Sequence, residues 1–128
     1  MNYILDSYAW VEYFIGSKKG EIVKNLILDE KNQFFTVDCC LGEITGWALV
    51  NNKDIKELLK VIRTNSIIIP GMEHDWIEAG KEKYEQRKTQ HDFGLIDAMI
   101  LTKQKKFSCK VISGDKHFKK IKNVVFLE

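Results

Sequence analysis

Apolar residues in this chain come in short bursts, and between the bursts they recur at helical spacing. Residues 2–5 are a brief apolar run ended by Asp6-Ser7, which predicts a buried strand followed by a helix cap. Residues 7–15 then predict a helix stopped near Gly16. Residues 20–30 predict a second helix, with Ile22, Val23, Leu26 and Ile27 on one side. Gln33 to Val37 reads as a strand, Thr36 and Asp38 supply a cap signal, and 39–51 reads as a helix. Residues 54–64 are helical again, through Ile55, Leu58, Leu59 and Ile62. Ser66 to Ile69 is β-branched and stopped by Pro70-Gly71, so a third strand is expected. A long charged helix over Glu73 to Lys88, a loop over 91–94 and a helix over 95–106 follow. Lys110 to Ser113 is a strand, Lys116 to Lys120 a short helix and Val124 to Leu127 a last strand. This alternation predicts an α/β fold with three layers, α/β/α, around a mostly parallel sheet of about five strands joined by right-handed crossovers.

Composition narrows the class. The 128 residues fit one domain with room for a core, and neither a repeat nor a linker divides them. A net charge of +2 leaves space for a basic patch beside an acidic pocket. Cys39, Cys40 and Cys109 match neither a disulfide framework nor a zinc spacing; reduced, buried thiols in a cytoplasmic protein are expected. No apolar run reaches the roughly 20 residues of a membrane span. The N-terminus has no basic stretch before an apolar one, so no secretion signal is expected.

The informative residues are acids in apolar surroundings. Asp6 closes the run Tyr3-Ile4-Leu5, and Glu43 is the only charged residue between Cys39 and Asn52. Asp97 is the only one between Phe93 and Thr102, and Asp115 follows Val111-Ile112 after a Ser113-Gly114 turn. Each has a plain structural reading. Asp6 can cap the next helix (Ser7 could equally do so), Glu43 can sit on a solvated stripe, Asp97 can answer a helix dipole, and Asp115 can cap a turn. Asp92, before Gly94, is expected as a turn or cap residue. Glu43 is the hardest to explain this way, because an acid beyond the first helical turn caps nothing.

In open α/β sheets, sites form beyond the carboxyl ends of the strands, where the strand order reverses. All four acids can reach that rim. Grouped carboxylates raise one another's pKa unless a cation answers them. An all-oxygen set favours Mg²⁺, or Mn²⁺, over Zn²⁺. The chemistry that follows is phosphodiester hydrolysis by an activated water.

These residues resemble a PIN-domain nuclease, in particular the VapC-like toxins of toxin–antitoxin pairs. Ile4-Leu5-Asp6-Ser7 is similar to the family's strand ending in Asp-Thr or Asp-Ser. Leu95-Ile96-Asp97-Ala98-Met99-Ile100-Leu101 resembles its Asp-Ala-Xaa-Ile helix, and Ser113-Gly114-Asp115-Lys116-His117-Phe118 its Thr-Xaa-Asp-Xaa-Xaa-Phe ending. The resemblance covers essentially the whole chain as a single PIN-like domain, residues 1–128. It implies that Asp6, Glu43, Asp97 and Asp115 bind one or two Mg²⁺ ions and cut RNA, leaving a 5′-phosphate and a 3′-hydroxyl. Ser7 supports the site, and Ser113 stands at the hydroxyl position that helps hold the metal. It further implies a homodimer and a small antitoxin that blocks the site. The family often carries an Arg near the second acidic motif, whereas Thr45 to Asn52 has no basic residue.

Lys116, His117 and Lys119 are candidates to hold RNA phosphates, against a plain solvated basic face. Lys103, Lys105 and Lys106 read as cations at a helix C-terminus. Trp10 with Tyr13 and Phe14 hints at more aromatic surface than one core needs, hence a dimer or partner face. Two other classes compete: a PIN-like binding module that no longer cuts, and a Mg²⁺-binding receiver domain that accepts a phosphoryl group. Receivers place a second acid directly after the first strand's Asp; here Ser7 stands there.

Overall fold

A computed structural model describes all 128 residues. Its strands are β1 (Asn2–Leu5), β2 (Gln33–Val37), β3 (Ile67–Ile69), β4 (Lys110–Ser113) and β5 (Val124–Phe126). Its helices are α1 (Ser7–Ile15), α2 (Lys18–Leu28), α3 (Cys39–Val50), α4 (Ile55–Asn65), α5 (Glu73–Gln86) and α6 (Leu95–Phe107). The expected elements are all present, with ends displaced by a residue or two. The largest displacement is α2, which starts at Lys18 because the Ser17 hydroxyl accepts the Gly20 N–H at 3.0 Å. Gly16 ends α1 as expected, in the left-handed region at φ 77°, where a side chain would be strained. The helix expected over Lys116 to Lys120 is a single 3-10 turn, Lys116–Phe118.

The sheet is wholly parallel, in the order β3-β2-β1-β4-β5. The chain steps outward from β1 in one direction to β2 and β3, then returns to the other side for β4 and β5. The order therefore reverses between β1 and β4. Leu5 is in register with Ile112, so the residues just past both strands emerge side by side. The order also departs from the 2-1-3-4-5 arrangement of receiver domains, which removes that alternative. Helices cover the sheet in two groups. α5 packs on α6; α1 packs on α2 and α3, and α3 on α4. This is the three-layer architecture expected.

Every strand is short and apolar because both faces are covered; Ile4, Leu5, Val111 and Ile112 have essentially no exposure. Trp10 corrects one expectation. It is fully buried, stacks on Phe14 at 5.6 Å, and its indole N–H donates to Thr36 Oγ1 at 3.0 Å. Trp10 itself therefore belongs to the core, while Tyr13 and Phe14 are only partly buried. Asp38 is a second correction. It makes no cap bond to α3; its carboxylate instead accepts the Gly71 N–H at 3.1 Å, tying α3 to the end of β3.

Lys103 is a third. The sequence places it with Lys105 and Lys106 at a helix end, but in the fold it faces inward, 2% exposed, with Nζ 2.6 Å from Asp75 Oδ2. Asp75 also accepts the Met72 N–H at 2.9 Å, so this carboxylate caps α5 and pins α5 to α6. Burial alone would raise Asp75; the bonds from Lys103 and Met72 and the Lys103 charge hold its carboxyl well below the usual range.

Candidate metal centre

The carboxyl ends of β1 and β4 open into a small hollow of about 70 Å³. Its lining includes Asp6, Ser7, Glu43, Asp97 and Asp115, with Tyr8, Cys40, Ile96 and Ile100 as the remaining wall. All four acids singled out in the sequence meet here, from positions up to 109 residues apart. The volume suits an ion with water beside it, since one water needs roughly 10–15 Å³. A hollow of about 410 Å³ lies at the amino ends of the strands, around Asn2 and Lys110, and carries no carboxylate, so size does not mark the chemistry.

Each acid is placed by local backbone chemistry. Asp6 caps α1, accepting the Ala9 N–H at 2.9 Å, and is 6% exposed. Desolvation pushes its carboxyl up to about 7; bonds from the Ser113 hydroxyl and Ala9 N–H oppose this, and Asp115 and Asp97 add to it. Cap and site roles therefore coincide in one residue. Ser7 opens α1 and donates its hydroxyl to Glu43 Oε1 at 2.5 Å, holding the acid of α3 toward the hollow. Asp97 lies in the first turn of α6, where Gly94 precedes the helix without a side-chain cap. Burial, then the charge of Asp115, raises its carboxyl; His117 and the Gly94 N–H work against that.

Asp115 follows Gly114 and caps the 3-10 turn, accepting the His117 N–H at 2.8 Å. The buried Ser113 hydroxyl accepts the Asp115 N–H at 3.0 Å, so it touches the backbone of one acid and the carboxyl of another. Gly114 is required by space. A Cβ there would come within 2.3 Å of the Tyr8 ring and 3.0 Å of the Leu127 carbonyl.

No Lys or Arg pairs with any of the four acids; the ion pairs of the chain lie elsewhere. The one nitrogen base among them is His117, and this corrects its placement on the basic face. Its ring is 14% exposed, with Nδ1 3.0 Å from Asp97 Oδ2 and 3.0 Å from Asp115 Oδ1. Nε2 faces Asp92 at 3.2 Å, and Lys116 Nζ reaches the other Asp92 oxygen at 3.3 Å. Neither ring nitrogen is aligned for a hydrogen bond, and both are shut off from solvent. Asp92, expected only as a turn residue, is drawn down to about 2 by His117 and then by Lys116. Lys116 and Lys119 remain on the surface. With Lys120, Gln86, Thr89 and Gln90 they line a second hollow of about 310 Å³. Tyr8 is a site residue that sequence reading passed over, though its place two residues after Asp6 on α1 was the available signal.

Comparison with known proteins adds the fold's relatives. No known family profile and no curated protein matches the sequence. Solved structures do. VapC20 of Mycobacterium tuberculosis, described as a sarcin–ricin loop cleaving toxin, superposes with a TM-score of 0.79 at 14% identity, covering 98% of this chain and 99% of that one. VapBC2 of Rickettsia felis, bound to a DNA fragment from its promoter, gives 0.71 at 16% identity, covering 98% and 97%. A toxin–antitoxin complex from Klebsiella pneumoniae gives 0.69 at 16%, covering 98% of both chains. At these identities the likeness is one of fold: the chain has the PIN-like architecture of the VapC structures.

Proposed function

We propose that this chain is a divalent-metal-dependent endoribonuclease of the VapC kind, with Asp6, Glu43, Asp97 and Asp115 holding Mg²⁺ or Mn²⁺. One observation carries the reading: four acids, distant along the chain, share one hollow with no Lys or Arg among them. Such a group stays ionised only with a cation from outside the chain. The Nδ1 of His117, which faces Asp97 and Asp115 without an aligned hydrogen-bond partner, fits that cation as well. A bound divalent ion supplies Lewis acidity and an acidified water.

The chain's own residues supply position. Ser7 fixes Glu43, the Ala9 N–H fixes Asp6, and the Ser113 hydroxyl steadies the turn that presents Asp115. Lys116, next in the chain to Asp115, and Lys119, three residues on, offer cations to the RNA backbone that would bring the scissile phosphate toward the acids. The hydrolysis adds water oxygen to phosphorus and releases the 3′ oxygen, leaving a 5′-phosphate and a 3′-hydroxyl. VapC20's description as a sarcin–ricin loop cleaving toxin supports the reaction class, and the toxin–antitoxin complex among this chain's structural neighbours supports an antitoxin partner. A homodimer is the expected assembly. A reducing cytoplasm suits three free cysteines, and no helix is long and apolar enough to cross a membrane.

The test is cleavage of structured and unstructured RNA by antitoxin-free protein, with Mg²⁺, Mn²⁺ or EDTA, beside Asp97→Asn. Cleavage that needs metal, yields 5′-phosphate ends and falls about a hundredfold or more in the variant is expected. RNA left intact by metal-saturated protein would make this a binding module that has lost its chemistry.

A further inference from the structure

The metal-binding residues implied by the resemblance are all oxygen donors, yet in this chain an imidazole, that of His117, touches two of the acids that line the hollow. We propose that His117 is itself a metal ligand, its Nδ1 joining Asp97 and Asp115 in a mixed nitrogen–oxygen site that prefers Mn²⁺ to Mg²⁺. This rests on the metal-dependent reading above and specifies which ion that site takes.

Geometry is the first support. Nδ1 lies 3.0 Å from one oxygen of each carboxylate, and the three donor atoms fall within 4.8 Å of one another. Neighbouring ligands on an octahedral ion with bonds near 2.1 Å stand roughly 3 Å apart. Both nitrogen–oxygen spacings are therefore those of neighbouring corners of one coordination shell.

The second support is how the ring is held. The His117 N–H donates to Asp115 at 2.8 Å, and its carbonyl accepts from Gln90 Nε2 at 3.0 Å. The ring meets fully buried Phe93 edge to face at 5.6 Å. A surface lysine-rich turn has no need to fix a histidine this way. Behind the ring, Nε2 faces Asp92, which Lys116 holds from outside. Metal-bound histidines characteristically present their distal nitrogen to a carboxylate, which leaves the near nitrogen's lone pair for the ion. Asp92, His117 and the pair Asp97/Asp115 stand in that order, with Nε2 3.2 Å from Asp92 though not aligned on it.

The third support is the poor fit of the alternative. Two carboxylates face one ring nitrogen, and one proton there can bond only one of them. Neither contact is aligned for it. A cation between the three satisfies all of them. Carboxylate and water suit Mg²⁺, Ca²⁺ and Mn²⁺, while imidazole suits transition ions such as Zn²⁺ and Fe²⁺; Mn²⁺ is the transition ion of the oxygen-preferring set, so an added nitrogen favours it over Mg²⁺.

The experiment is Mn²⁺ binding by the full chain, followed by calorimetry and by electron-spin-echo spectroscopy of the bound ion. Wild-type protein is expected to show nitrogen modulation from a directly bonded imidazole and to bind Mn²⁺ about tenfold or more tightly than Mg²⁺. In His117→Ala and His117→Gln, checked for folding by circular dichroism, the modulation should vanish and Mn²⁺ affinity fall at least about tenfold, with Mg²⁺ affinity little changed. Asp92→Asn should weaken Mn²⁺ binding while retaining the modulation. Bound Mn²⁺ without nitrogen modulation in the wild type, or modulation that survives in both His117 variants, would overturn the proposal and leave the nuclease reading standing. Wild-type protein that binds no divalent ion would remove both.

Discussion

Asp6 and Asp75 are almost equally hidden from water, at 6% and 1% exposed, yet their carboxyls are displaced in opposite directions. Burial raises both. At Asp75 a lysine at 2.6 Å and a backbone N–H outweigh it. At Asp6 the added neighbours are two more acids, and nothing in the chain supplies the missing charge. The fold thus completes one buried carboxylate internally and leaves the other short by a cation. The first holds two helices together. The second has the electrostatics of a binding site, since a group left unsatisfied by the protein gains most from a ligand that satisfies it.

Breaking the internally completed side should have the largest effect. Lys103→Met leaves Asp75 buried with only the partly exposed Lys106 and His74 nearby. A loss of about 3–5 kcal/mol in urea unfolding is expected, with Mn²⁺ affinity unchanged. Replacing both partners with apolar residues should recover most of that loss, because no orphaned charge remains. The open side responds to metal in the reverse sense. Mn²⁺ at a hundred times its dissociation constant should stabilise the wild type by about 2.7 kcal/mol, seen as a raised unfolding midpoint, and Asp97→Asn should lose most of this gain.

Proton binding gives a third separation. The folded Asp6 carboxyl, at about 7, keeps its proton over a range where the unfolded chain, near 3.8, has lost it. That contribution is complete below about pH 4 and disappears as pH rises to about 7. Metal-free wild type should therefore lose stability across that window, and Asp6→Asn should lose less of it. Equal slopes in EDTA for the two proteins would show that Asp6 is not held protonated. The smallest effect is expected at the surface. Lys119→Ala should weaken RNA binding a few-fold and lower its salt dependence by about one unit, without altering metal affinity.

Particular residues show what could be read early. Asp6, Asp97 and Asp115 stand where a strand ends or a helix begins, and the apolar runs beside them made both the element and the anomaly visible. Glu43 was visible because no cap or dipole accounts for an acid inside α3. Asp75 was hidden among the many charges of α5, and Lys103 among the cations closing α6; only packing brings the two within 2.6 Å. His117 was misplaced for a similar reason. Sequence neighbours on a tight turn point in different directions, so the company of Lys116 and Lys119 says little about where its ring faces.

Periodicity and punctuation by themselves determined the order of strands and helices, the parallel sheet and the four acids, because these follow from local spacing and from short apolar runs. Tertiary structure alone decided the rest. Whether an acid has a lysine, a histidine or only other acids beside it depends on residues tens of positions away. In a low-dielectric interior that choice sets both its charge and its use.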